Sequence, residues 1–245
     1  LIYLDGNSLG ALPAAAPARI ERVMRHEWGA GLTGSWFEAG WIDLPRGLGE
    51  AIAPLIGAAP GEVVVGDSTS VNLFKLLAAA LHARPGRRTI LTKTGNFPTD
   101  LYVAQGLSGL VEGCEVRRIA RDEIAGALDS DTAVLTLTHV DFRTGFMHDL
   151  AALTRAAHEV GALALWDLSH SVGAVPLDLG GAGVDLAVGC TYKYLNGGPG
   201  APAFAYVRQT LQPDLRPGLT GWMGHRAPFD FAADYAPGAG IAPLL

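Results

Sequence analysis

A few short runs in this chain stay apolar at both odd and even positions, and they restrict the fold more than any other feature. AVLTL, inside 132–140, and LALW, inside 162–167, show it most plainly. A strand with no polar face must be covered above and below, as strands are when a parallel sheet lies between helix layers. The segments between these runs have helical periodicity. The reading is helix at 13–28 and 44–57, strand at 62–66, helix at 67–83, strand at 89–93 and helix at 97–108. It continues with strand at 114–119, a short helix at 122–128, strand at 132–140, helix at 149–161, and strands at 162–167, 184–189 and 201–207. Repeated strand–helix–strand units predict an α/β fold, a three-layer sandwich around a mostly parallel, doubly wound sheet.

Past about residue 208 the texture changes, with frequent Pro and Gly and aromatics of no clear period. The expected division is an N-terminal segment at 1–50, a large cofactor-binding domain at 51–210, and an irregular segment at 211–245 leading toward a small C-terminal domain that is missing or incomplete. The chain opens on YLDGNSLG without an initiator Met and stops at IAPLL, so a piece of something longer is expected.

Composition removes several classes of function. A formal charge of −6 with no basic stripe argues against nucleic acid as a partner. The pairs Arg87–Arg88 and Arg117–Arg118 read as solvated loop or strand-end charges. Two cysteines, Cys114 and Cys190, are too few for a disulfide framework and lack metal-ligand spacing; reduced thiols suit the cytosol. No run reaches the roughly 18 apolar residues of a membrane span.

In open parallel sheets, ligands bind outside the carboxyl ends of the strands. Polar clusters fall at those ends: Ser68–Ser70, Asn96–Asp100, Thr138–Asp141, Asp167–His170, and Lys193. Of the three lysines, Lys75 lies within a helix and Lys93 has no acid at matching spacing. Lys193, in TYKYLNGGPG, follows one strand while Asp167 ends another. A lysine for a Schiff base and a carboxylate for a ring nitrogen suit pyridoxal 5′-phosphate (PLP). GDSTS at a helix start suits a phosphate, although ordinary capping by Ser or Asp explains it equally well alone. Asp167 by itself also reads as a capping residue, and His170 as a partly buried side chain. Tyr192 is a candidate for phosphate binding or proton relay, and Tyr194 for packing. The glycines after Lys193 do not form a dinucleotide fingerprint.

On these residues the chain resembles PLP enzymes of the aspartate aminotransferase fold, in the branch shared with cysteine desulfurases, and within it the kynureninase family. The matching stretches are YLDGNSLGALP, STSVNLFKLL, NFPTDLY, DFRTG, WDLSHSVGAVPLDL, DLAVGCTYKYLNGGPGAPAF and GWMGH. The resemblance implies that Lys193 carries the cofactor, Asp167 pairs with its ring nitrogen, and His170 belongs to the same cluster. It implies that Phe97 stacks on the ring and Asp100 completes the binding turn. Thr69, Ser70 and Tyr192 would hold the phosphate, with Thr138 nearby. Trp222 would reach an active site across a homodimer interface. The implied reaction is hydrolysis of kynurenine or 3-hydroxykynurenine to anthranilate or 3-hydroxyanthranilate and alanine, in tryptophan degradation, with Lys193 and Tyr192 handling protons. The family's small domain supplies an asparagine and a carboxylate-binding arginine that lie beyond this sequence. A chain ending here is expected to bind PLP without turnover. The competing readings are a cysteine desulfurase-like lyase, which needs an exposed nucleophilic cysteine, and a non-catalytic scaffold.

Overall fold

The computed structural model describes residues 2–245. Seven strands form one sheet: β1 (Val63–Val65), β2 (Thr89–Lys93), β3 (Glu115–Ile119), β4 (Thr132–Thr138), β5 (Leu163–Asp167), β6 (Leu186–Gly189) and β7 (Phe204–Val207). Their order is β1-β7-β6-β5-β4-β2-β3. All neighbours are parallel except at β7, which is antiparallel to both β1 and β6. Six strands therefore point the same way, and their carboxyl ends share one edge with the start of β7.

The helices are α1 (Ala16–Arg22), α2 (Ser35–Glu38), α3 (Leu44–Ile52), α4 (Thr69–Ala83), α5 (Pro98–Ser108), α6 (Leu150–Glu159) and α7 (Leu179–Ala182). α1 continues as a π-helical stretch over Val23–Trp28. Two apolar cores lie on opposite faces of the sheet. Val63, Val65, Leu135, Ala164, Trp166 and Tyr206 pack against Ile52 of α3 and Ala157 of α6. Their strand neighbours Val64, Val134, Leu163, Leu165 and Ala205 pack against Leu73, Leu76 and Leu77 of α4 and Ala104 of α5. Strand alternation delivers successive side chains to the two cores, and the three-layer sandwich is the result.

Most elements fall within two or three residues of the sequence reading. Among the predicted elements the exception is 122–128, where two 3₁₀ turns (Arg121–Glu123 and Ala125–Ala127) replace the short α-helix, with Gly126 lowering helix propensity in the second. α2 and α7 were not anticipated; each is four residues long, and α7 is capped by Asp178 and closed by left-handed Gly183. Edge strand β3 is the least buried, and its Arg117 pairs with Glu115 and Asp129. Residues 211–245 carry only 3₁₀ turns, and Leu215, Ile241 and Leu244 are buried in the α4-side core. Lys75 of α4 anchors this segment by donating to the Leu244 carbonyl at 2.7 Å and to Asp67 at 2.6 Å. Its amine thus reaches back toward the strand edge that its place in the sequence lies away from. Among the described residues no helix is long and apolar enough to cross a membrane.

Candidate active site

Lys193 lies in the β6–β7 loop and is buried, as the loop folds back on the carboxyl edge of the sheet. Its Nζ sits 2.8 Å from Nε2 of His170, three residues past β5. Burial first, and then the Lys193 charge, lower the pKa of His170, so near neutrality the imidazole is uncharged and can accept from the ammonium. The other ring nitrogen, Nδ1, is buried without a partner among the described residues.

Asp167 ends β5 and is buried. Ser169 donates to it twice, from its backbone N–H at 2.9 Å and its hydroxyl at 2.6 Å. Both bonds fall on Oδ1, which leaves Oδ2 for a further donor. The Ser169 hydroxyl also accepts from the Cys190 N–H at 3.1 Å, tying the acid to the loop that leads to Lys193.

Asp100, in the first turn of α5, is buried. Its Oδ2 accepts from the Thr138 hydroxyl at 2.9 Å and from Asn96 at 3.2 Å, and Asn96 accepts in turn from the Thr138 N–H at 3.0 Å. Burial, then the neighbouring Asp167, push the Asp100 carboxyl well above the usual range, against the pull of Thr138, Lys193 and Asn96. The Asp167 and Lys193 charges bear on this carboxyl in opposite senses.

Phe97, just before α5, has its ring centroid 5.6 Å from the Lys193 Nζ and 6.2 Å from the His170 ring. Thr69 and Ser70 open α4, where Ser68 caps the helix by accepting from Val71. The first N–H groups of a helix have no partner within it and attract anions. Tyr192 is half-buried, its ring 5.8 Å from the Lys193 Nζ.

The N-terminal segment lies over the lysine loop. Gly10 donates its N–H to the Tyr192 carbonyl at 2.8 Å. A Cβ on Gly10 would come within 2.2 Å of the Lys193 carbonyl oxygen, so only glycine fits.

The structure thus groups Lys193, His170, Asp167, Asp100, Thr138 and Phe97. It sets Tyr192 beside them, and Thr69 and Ser70 on the same sheet edge. Trp222 is elsewhere in the chain, packed with Trp36 (5.5 Å), Phe229 (5.7 Å) and Phe231 (5.8 Å). Three supporting residues were given no role from sequence: Ser169 and Gly10, which were not named, and Asn96, named only as the start of a polar cluster. Each lies inside a motif that carries the resemblance (WDLSH, NFPTD, YLDGNSLG), but nothing in the motif tells a support from a spacer. Lys93, which lacked an acid at useful spacing, pairs with Asp141 from another strand end. Among the described residues no cluster could hold a metal ion.

The donor set fits PLP. A buried amine can bond its aldehyde, the open Oδ2 of Asp167 can take its ring N–H, an aromatic side chain can lie on its face, and a helix start can meet its phosphate. The fold and this site define a class. The chain belongs to the class-V aminotransferase family, whose profile matches residues 2–227. Within that family it is similar to kynureninases, at 55% identity over 252 residues to that of Burkholderia pseudomallei strain 1106a and over 251 residues to that of Pseudomonas fluorescens. Those matches cover 100% of this chain and 60% of each relative, so the chain spans well under two thirds of their length. Among solved structures, a cystine C–S lyase in complex with cysteine persulfide aligns with TM-score 0.81 at 18% identity, over 97% of this chain and 64% of its own. The apo cysteine desulfurase of Thermococcus onnurineus NA1 aligns at 0.78 and 20%, over 100% of this chain and 62% of its own. These likenesses show the shared fold.

Proposed function

We propose that the complete protein binds PLP through Lys193 and hydrolyses L-kynurenine, or its 3-hydroxy form, to anthranilate, or 3-hydroxyanthranilate, and L-alanine. The observation that carries this reading is the convergence of the Lys193 amine, neutral His170 and the Ser169-held Asp167 in a chain 55% identical throughout to kynureninases.

When bound, PLP supplies an electron sink for bonds to the substrate's α-carbon. The chain's own groups do the rest. Asp167, fixed through Oδ1, would present Oδ2 to the ring nitrogen and hold a proton there. Phe97 would cover one ring face. The Thr69 and Ser70 N–H groups and the Tyr192 hydroxyl would take the phosphate. Thr138 and Asn96 hold the Asp100 carboxyl in place. The Lys193 amine, once free, would move the substrate's α-proton, with His170 placed to accept from it at 2.8 Å. Burial, then Cys190, raise the Tyr192 phenol above its ordinary range, so it stays a proton donor near neutral pH. One water is consumed as the β–γ carbon bond breaks.

A homodimer completes the reading. Ile20, Met24 and Trp28 recur at helical spacing along α1 and its extension and are all more than half exposed. Such a stripe is a surface for a partner, and Trp222, also substantially exposed, could serve a neighbouring site from it. A cytoplasmic location fits the two free thiols. The desulfurase reading has less support, because Cys190 is buried and Cys114 half-buried.

The test uses the full-length protein. Its spectrum should show a lysine-bound cofactor band that Lys193→Ala removes, and both substrates should release fluorescent anthranilates. Sulfide release from cysteine without anthranilate formation would favour the lyase instead.

A further inference from the structure

The site as described makes no use of a buried ion pair beside it. Lys93 ends β2, Asp141 lies three residues past β4, and β2 and β4 are neighbours in the sheet. Both side chains are buried, and the Lys93 ammonium donates to Asp141 Oδ2. The other oxygen, Oδ1, accepts from the N–H groups of Arg143 and Thr144 and from the Thr144 hydroxyl, each at 3.0 Å. The backbone closes the same turn, Asp141 N–H to the Phe146 carbonyl and Gly145 N–H to the Asp141 carbonyl, both at 2.8 Å. A short Asp-centred turn does not need a buried ammonium. Desolvating a lysine is expensive, and such a pair is weak grounds for stability as such.

The pair does fix where the turn sits on the sheet edge, and the turn carries Phe142. The Phe142 ring meets Phe97 edge to face, at 5.1 Å and 81°. Phe97 in turn flanks both Lys193 and His170. A continuous path of contacts thus runs from the ion pair through Phe142 to the aromatic wall of the site.

We propose that the Lys93–Asp141 pair, acting through Phe142, is the positioning element for Phe97 and sets the plane in which a ring bound to Lys193 lies. The inference rests on the PLP reading above. None of the three residues touches the reacting atoms; they act through Phe97.

The test uses the full-length holoenzyme and three variants: Lys93→Met, Phe142→Leu and Phe142→Tyr. The measurements are visible circular dichroism of the lysine-bound band, PLP affinity by titration of the apoprotein, and apoprotein melting. Lys93→Met and Phe142→Leu should change the visible dichroism in the same way. Phe142→Leu should weaken PLP about two- to tenfold, the range set by losing one edge-to-face aromatic pair. Phe142→Tyr, which keeps the edge, should restore the wild-type signal. Should Lys93→Met fail to fold, the Phe142 pair of variants decides alone. Wild-type dichroism and affinity in Phe142→Leu, with only apoprotein melting lowered in Lys93→Met, would make the pair purely structural and overturn the proposal. A wild-type protein with no lysine-bound band at all would sink the cofactor reading first and this inference with it.

Discussion

The amine of Lys193 and Nε2 of His170 are 2.8 Å apart, although 23 residues separate them in sequence. The contact joins the β6–β7 loop to the end of β5. The Lys193 charge also disfavours protonation of His170. His170→Phe removes the only side-chain acceptor of this amine among the described residues and should leave the fold intact. Its lysine-bound cofactor band should then titrate at a different pH from that of wild type, read by absorbance. An unchanged titration would show that the contact has no part in setting the amine.

Asp100 gives a prediction with a definite sign. Burial and Asp167 raise its folded pKa, so stability is present at low pH and lost as pH climbs through that value. Asp100→Asn keeps an acceptor for Thr138 and Asn96 while removing the ionisation. In urea denaturation at pH 8 the apoprotein of this variant should match or exceed wild type. Asp100→Ala should fall below it by about 1–3 kcal/mol, the penalty for leaving buried donors unsatisfied.

His148 titrates in the opposite sense. Burial, then Lys93 and His139, hold its pKa at about 4, below the 6.5 of a free imidazole. As pH falls the unfolded chain takes up the proton first, so stability is full above 6.5 and is lost between 6.5 and about 4. The urea midpoint of the apoprotein should drop between pH 7 and pH 5, and His148→Phe should flatten part of that slope.

Gly10 and Gly6 make a matched pair. At Gly10 a Cβ would meet the Lys193 carbonyl at 2.2 Å and the Asn196 backbone at 2.7 Å; at Gly6 its nearest neighbour is the Tyr194 ring, at 3.6 Å. Gly10→Ala should therefore displace the lysine loop and cost about 1–3 kcal/mol, the usual penalty of overpacking. Its PLP affinity should fall as well. Gly6→Ala should be silent in both thermal melting and PLP titration.

Ser169→Ala tests how Asp167 is held. It deletes a 2.6 Å bond to the acid and the acceptor of the Cys190 N–H. A stability loss of about 1–3 kcal/mol is expected, mostly from the buried N–H left unpaired. PLP should bind more weakly than to wild type, because only the Ser169 N–H still orients the carboxylate.

What the sequence determined by itself was local. Apolar period and propensity place β2 at Thr89–Lys93 and run α4 to Ala83 as read, because strand alternation and helical spacing are properties of neighbouring residues. Strand ends could be matched with polar clusters, so Asp167, Lys193 and Asp100 could be named from the text. The tertiary structure decided what meets across distance. β7 runs antiparallel between β1 and β6, which no periodicity reveals, since a strand buried on both faces looks alike in either direction. Lys93 finds its acid 48 residues away, because β2 and β4 are laid side by side only when the sheet assembles. Gly10 is needed only because the start of the chain crosses the lysine loop, and close approach between distant backbones leaves no local pattern to read.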